Sequence, residues 1–502
     1  MSGADAKAPD TLVGRIKRVA AASAVAQVAG ELISLAQTVV IARLLGPAQV
    51  GVFAAGTVFT LFLAEFSEGG LRSALINRRD KVEEAAVTVF WATAASGLAC
   101  SLLALAAAPV IARVFDSDAA GLVAAASSGG LLLYALVNVP EAFLQREFSV
   151  RRRLIVGPAT SAAFAVVAVT LAALGAGVWS LVIGNYASYL TLLVCVWALS
   201  GWRPGRARGS YRMWRELAGY GFPLIVGSVA SKVRSAVEAV VVGRFLSPVA
   251  LGHYRYGLRI ARVPANALIE VVAYALFPAF SRMAGDPARL ASAYAKALRW
   301  VSLGAAAVAA LMFAVGEPAV VVLLGEPWRG AGVAVAAMAG LGLGKAWASV
   351  SEEAIKGAGH TGLINGLTAI ELVLGLVLLL LVVPFGLVGV GLSLSITALL
   401  VGVRCVVVAR RALYVPWSAV VGAVLPSVVA AAVAGIAVRV LERTVLHSDT
   451  RSLPVALGLL VLDGVVLVVL DGALVAVLSP ATARSVAAGV RHRAARSPVP
   501  SR

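Results

Sequence analysis

Apolar residues in this chain fall in blocks of roughly twenty, separated by short polar stretches, and that is the length a helix needs to cross bilayer hydrocarbon. Read together with the turn residues, the blocks predict helices at 18–41, 50–71, 85–113, 119–143, 156–174, 178–200, 217–242, 250–275, 293–315, 332–355, 362–383, 387–408, 418–440 and 453–478. Short Gly and Pro links separate many of them: Gly46-Pro47, Gly175-Ala176-Gly177, Ser247-Pro248 and Pro384-Phe385-Gly386. The expected fold is therefore an all-α polytopic membrane protein of about fourteen transmembrane helices.

Composition agrees with the pattern. The chain is 60% apolar and 14% charged, whereas a soluble domain carries about a quarter charged residues. The net charge of +18 raises the question of a nucleic-acid partner, but the basic residues form no single patch. They cluster on alternate sides of successive blocks, as topology signals do. With the amino terminus inside, inner segments hold Arg15/Lys17/Arg18, Arg72/Arg78/Arg79/Lys81, Arg146/Arg151/Arg152/Arg153 and Arg203/Arg206/Arg208/Arg212/Arg215. Further inner clusters follow around Arg282, Lys356, Arg404 and the tail beyond Arg484, about 30 of the 43 Lys and Arg in all. Outer loops hold Arg43, Arg113, Arg244, Arg329, Arg439, Arg443 and Arg451. The expectation is an even helix count with both termini cytoplasmic, and no nucleic-acid partner. The start is polar and basic with no early cleavage site, so the first helix is expected to serve as its own insertion signal. Cys100, Cys195 and Cys405 lie in apolar segments without a CxxC, and are read as small buried side chains.

An internal repeat is visible. Residues 35–53 align without gaps to 236–254, matching Val39, Val40, Arg43, Leu45, Pro47 and Gly51 with Val240, Val241, Arg244, Leu246, Pro248 and Gly252. Further on, Pro109 matches Pro318, and Gly177-Val178 matches Gly386-Leu387. An even number of helices per copy makes the repeat parallel, a plan that places a transporter's site between its halves. The expected organisation is a cytoplasmic tail at 1–14, a six-helix lobe at 15–200 and a basic linker at 201–216. A second six-helix lobe at 217–412, two further helices at 413–479 and a basic tail at 480–502 complete it.

The hairpin ARLLGPAQVGVF at Ala42 to Phe53, the turn GGLRSALI at Gly69 to Ile76 and the stretch AIKGAGHTGLI at 354–364 resemble bacterial polysaccharide exporters of the oligosaccharide-flippase family. That family sits in the wider superfamily of multidrug, oligosaccharidyl-lipid and polysaccharide transporters, and the likeness covers about 15–480. The resemblance implies a flippase in the bacterial plasma membrane. Its substrate would be an undecaprenyl-diphosphate-linked oligosaccharide, carried from the inner to the outer leaflet for assembly of an envelope polysaccharide. Glycan polymerase or assembly proteins and membrane lipids are the expected partners, and a monomer is expected because the two repeated halves already supply a pseudo-symmetric interface.

Ionisable residues inside apolar segments are costly, so they face a cavity or a partner. In the first helix Gln27, Glu31, Ser34 and Thr38 sit at i, i+4, i+7 and i+11, one polar stripe. The repeat maps it onto Ser228, Lys232, Ser235 and Ala239, which predicts that Glu31 and Lys232 point into one cavity. Arg255, Arg259 and Arg262 form a second stripe, and at about 1.5 Å per residue Arg262 lies some 18 Å deep. Their planar forks suit the oxygens of a diphosphate, while Ala54, Val58 and Leu61 occupy the equivalent face of the other repeat. Lys345 joins the candidate substrate-binding set, with Glu270 a secondary cavity residue. Glu65 and Glu68 are placed near the inner entrance, Glu352 and Glu353 near an inner helix end. Arg234 and Glu238, one turn apart, are read as pairing with each other. Asp463 and Asp471 lie outside the repeat and are given no role. Trp179, Trp202, Trp214, Trp328 and Trp417 are read as interfacial anchors.

Three other functions compete. A cation-coupled drug antiporter of the same superfamily would want a mostly acidic cavity, and the deep charges here are mostly basic. A peptidoglycan-precursor flippase also carries a lipid diphosphate, so charge does not separate it from the first reading. A glycosyltransferase or polymerase would need catalytic carboxylates or a nucleotide-sugar site in a sizeable loop. The one Asp-x-Asp, Asp116-Ser117-Asp118, lies in the short link between the predicted helices 85–113 and 119–143 rather than in a sizeable loop, and the chain has no Walker loop or metal-spaced His/Cys cluster. No catalytic residue, cofactor or metal is expected.

Overall fold

A computed structural model describes residues 36–146, 155–205, 209–283, 285–360 and 362–480. Regular structure among them is entirely helical. After a first described helix, α1 (36–44), come α2 (Pro47–Glu68), α3 (Leu71–Asn77), α4 (Val82–Val114), α5 (Asp118–Ser127), α6 (Gly130–Ala135), α7 (Asn138–Arg146), α8 (Gly157–Ala173) and α9 (Val178–Ser200). There follow α10 (Tyr211–Phe245), α11 (Pro248–Arg282), α12 (Pro287–Leu324), α13 (Arg329–Ala337), α14 (Ala339–Gly357), α15 (Gly362–Val382), α16 (Gly386–Ala412), α17 (Trp417–Leu441) and α18 (Leu453–Leu478).

Each predicted helix from 50–71 onward has its counterpart, and the first, 18–41, lies largely outside the described residues. Nine helical stretches among the described residues are long and apolar enough to cross a membrane. The helices α10 and α11 are long enough but are not among the nine. They carry Lys232, Arg234 and Glu238, and Arg255, Arg259 and Arg262, and these charges are what singled them out in the sequence.

The chain clusters into two compact units, residues 1–240 and 241–502. In the first, the predicted span 119–143 is broken into α5, α6 and α7. A break at membrane depth strands carbonyl groups that lipid cannot satisfy, and α9 supplies the missing donors. The Tyr186 hydroxyl donates to the Ala126 carbonyl at 2.6 Å, and the Trp197 indole N–H donates to the Leu136 carbonyl at 3.1 Å. In the second unit, α14 and α16 touch through backbone. A Cβ on Gly344 would lie 2.2 Å from the Ala398 carbonyl carbon, and one on Gly402 would lie 2.4 Å from the Gly344 oxygen. Small residues at such crossings are how membrane helices gain close van der Waals contact. Outward faces are apolar: Val166, Val194, Val461, Val468 and Val477 are each about two thirds exposed or more.

The sequence repeat has a backbone echo. Pro47 opens α2 and Pro248 opens α11, while Pro109 and Pro318 lie inside α4 and α12. Positive φ recurs at the same separation, at Asp116 and Gly325 and again at Gly177 and Gly386. The last pair nearly coincides in both angles, φ 55° and ψ −134° against φ 69° and ψ −150°.

Two of the expected interfacial tryptophans are instead packed inside. Trp202 is 6% exposed among Phe90, Phe143 and Trp197, and Trp328 is 1% exposed against Tyr256 and His253. An aromatic run near a predicted helix end looks alike in sequence whether it meets lipid headgroups or a neighbouring helix. Trp179, Trp214 and Trp417 do remain substantially exposed. Cys100 and Cys405 are buried free thiols, and Cys195 is half-buried.

Candidate functional site

The Gly69-Gly70 doublet ends α2. Both residues have positive φ, 57° and 69°, so the chain turns sharply before α3 resumes. The turn is gripped from two directions. Arg146, at the end of α7, donates to the carbonyls of Leu75 (2.6 Å), Ile76 (3.2 Å) and Arg78 (2.6 Å), satisfying the open end of α3. On α10, Gly221 lies so close that a Cβ on Gly70 would stand 2.4 Å from its oxygen.

Around this turn lies a charged cluster. Arg72 reaches Glu68 at 2.9 Å and Glu141 at 3.0 Å, all three side chains no more than 20% exposed. The Tyr134 hydroxyl lies within hydrogen-bonding reach of the same guanidinium. One turn earlier on α2, Glu65 meets Lys232 of α10 at 3.2 Å, and this pair is more open, 26% and 43% exposed. Two turns of α2, one of α3, α7 and α10 thus bring three carboxylates and two cations to one end of the first unit.

Of the polar stripe on α10, Lys232 is engaged by Glu65, Ser235 is half-buried, and Ser228 donates to the Ile225 carbonyl at 2.9 Å. Its expected counterparts Gln27, Glu31 and Ser34 lie outside the described residues, and Thr38 is buried. Arg234 pairs with the buried Glu238 at 2.8 Å.

In the second unit α11 is two-faced. Leu251, Tyr254, Leu258, Ala261 and Ala265 are buried, while Arg259 and Arg262 are exposed and Arg255, one turn before Arg259, is half-buried. The packed face meets α14, where Gly342 lets Ala265 approach. Lys345, half-buried, follows one turn later on α14. Arg259 and Arg262 are therefore presented away from the unit's core. Glu270 lies within α11, but its side chain lies outside the described residues. At the far end of α14, Lys356 meets Glu353 at 2.9 Å and Glu352 at 4.0 Å, so these two carboxylates belong to a helix-end cluster.

Sequence reasoning missed Glu141, Tyr134, Arg146 and Gly221 as parts of the first cluster. The glycine doublet and the polar PEAFLQR run at 140–146 were the available signals.

Residues 40–332 match the family of polysaccharide biosynthesis proteins. The chain is 28% identical over 289 residues to the succinoglycan biosynthesis transport protein ExoT of Rhizobium meliloti (strain 1021), covering 58% of each chain. It is 23% identical over 320 residues to the lipopolysaccharide biosynthesis protein WzxC of Escherichia coli (strain K12), covering 61% of this chain and 63% of that one. The matched region is thus less than two thirds of either relative. Among solved structures, the lipid II flippase MurJ in its inward closed conformation superposes with a TM-score of 0.70 at 15% identity. That match covers 90% of this chain and 98% of MurJ, a likeness of fold.

Proposed function

Because this chain belongs to the family of polysaccharide biosynthesis proteins, we propose that it is a flippase that carries a lipid-diphosphate-linked oligosaccharide across the bacterial plasma membrane. The lipid is undecaprenol, the direction is inner to outer leaflet, and the product feeds an envelope polysaccharide. The observation that carries the reading is the stripe of Arg255, Arg259 and Arg262, of which Arg259 and Arg262 are exposed, on a helix whose other side packs against apolar neighbours. Guanidinium forks pair phosphate oxygens bidentately.

In this reading transport proceeds by alternating access, with the lobes 15–200 and 217–412 joined by the basic linker 201–216, both termini cytoplasmic and the transporter monomeric. The diphosphate rests against Arg255, Arg259, Arg262 and Lys345, and Glu31 and Lys232 complete the proposed substrate-binding set. Gln27, Ser34, Ser235 and Glu270 are the secondary candidates, and the lipid tail stays in the bilayer. An inside-negative potential favours the outward step by ~2.3 kcal/mol per charge per 100 mV. The relatives' names, a succinoglycan transport protein and a lipopolysaccharide biosynthesis protein, support the polysaccharide class of substrate.

The test is to delete the gene in its native host and measure undecaprenyl-linked oligosaccharide and surface polysaccharide. Complementation uses wild type and the double variant Arg259→Ala/Arg262→Ala. The expected result is accumulation of the lipid-linked precursor with loss of surface polymer, rescued by wild type alone. Normal polymer with altered drug tolerance would overturn the reading in favour of the antiporter.

A further inference from the structure

The helix α18 carries an acid on a face where membrane helices seldom keep one. Ala456, Asp463, Leu467, Asp471 and Val475 form its buried side, while Val461, Val465, Val468 and Val469 are exposed on the other. Asp463 is 0% exposed, and neither of its carboxyl oxygens meets a hydrogen-bond donor. Facing it within hydrogen-bonding reach is the carboxyl group of Glu442. Glu442 opens the π-turn Glu442–Leu446 that closes α17, and it is 4% exposed.

The surroundings distinguish the two oxygens of Glu442. Its Oε1 accepts the Ser448 backbone N–H at 2.8 Å and the Ser448 hydroxyl. Its Oε2 is buried and meets no donor. The charged groups on the neighbouring elements are spent elsewhere. Arg439 donates to the Phe313 carbonyl and lies over that ring, Arg443 reaches Glu317 at 3.4 Å, and Arg329 holds Glu317, Glu326 and Asp449. Lys296 and Arg299 of α12 line a separate cavity of about 480 Å³ with Trp300 and Pro416.

Two ionised carboxylates facing one another in a dry place repel, and each loses its hydration. One proton between them removes both costs, because it gives the orphaned oxygens a donor and an acceptor. We propose that Asp463 and Glu442 form a proton-binding site, with Asp463 as the acid and Glu442, fixed by Ser448, as its acceptor. Release of that proton leaves two facing anions and drives the terminal turn of α17 from α18. Solution lies close by, since His447 in the same turn is exposed. Asp471, two turns or roughly 12 Å further along the same face, has an unpartnered buried oxygen and forms the next station for a proton. This site stands on geometry within the second unit and is independent of the glycan reading.

The test is infrared difference spectroscopy on the purified full-length chain in lipid bilayers, titrated with pH in sodium and in choline buffers. A carbonyl stretch of a protonated carboxylic acid is expected at neutral pH in both buffers. Asp463→Asn should remove it, and Glu442→Gln should shift its frequency, because the acceptor has changed. Asp471→Asn should leave that component in place. A spectrum unchanged by Asp463→Asn would overturn the proposal, as would a band present in choline but lost in sodium, which would make the occupant a metal cation. If Asp463→Asn elutes as aggregate, the frequency shift in Glu442→Gln decides, and its absence overturns the proposal.

Discussion

Gly70 and Gly221 meet backbone to backbone: a Cβ on Gly221 would stand 2.7 Å from the Gly70 oxygen, and one on Gly70 2.4 Å from the Gly221 oxygen. The contact seats α10 on the turn between α2 and α3, beside the cluster of Glu65, Glu68, Arg72, Glu141 and Lys232. Neither side has a flexible end that can give way. Gly221→Ala should cost about 1–3 kcal/mol through overpacking, read as a fall in the thermal midpoint of the purified protein in detergent. An unchanged midpoint would mean that the two backbones separate freely.

Arg72 is shared by two carboxylates. Arg72→Ala leaves Glu68 and Glu141 facing an emptied site, at a cost of about 1.5–3 kcal/mol for lost charged hydrogen bonds. Arg72→Lys keeps the charge but loses the fork, and should fall between wild type and alanine. Chemical denaturation of the three proteins checks the order. Lysine matching alanine would show that the bidentate geometry carries the stability.

Lys232 and Glu65 are more open, and an exposed pair contributes only about 0–1 kcal/mol. Lys232→Ala should therefore barely change stability. If Lys232 faces the substrate path, export of surface polymer should drop several-fold in the same variant. Glu65→Gln, which frees the lysine, should not reproduce that drop. A loss of export that tracks loss of folded protein would make the pair structural.

Arg262 separates charge from geometry. Under the proposed function Arg262→Lys should retain part of the export that Arg262→Ala loses, because an ammonium binds phosphate as a point charge without the planar fork. Complementation of the deletion strain at matched protein levels is the measurement. Equal export from both variants would remove Arg262 from the binding set.

Much of the fold was legible because membrane crossing imposes one long apolar block per helix. Spans such as 178–200 and 453–478 coincide with α9 and α18, and charge at unusual depth marked α10 and α11. The breaks within 119–143 were not legible, since Ser128-Gly129 looks like ordinary small-residue packing until Tyr186 and Trp197 are seen completing the broken backbone. Site partners failed to show for a related reason. Glu141 and Arg72 are far apart in sequence, and no local pattern joins them. Asp463 was set aside because it fell outside the repeat, and only its burial opposite Glu442 draws attention to it.

The matched glycine turns before α9 and at the start of α16 have a practical meaning. Gly177 and Gly386 deliver the chain into the next helix with the same handedness and nearly the same direction. They are natural seams: a chimera that exchanged the segments following them would join at backbones already alike. Side-chain chemistry could then be moved from one copy to the other as a cassette. Such grafts would show whether the side chains of α9 and α16 serve wherever the frame repeats, or only in the copy where they now stand.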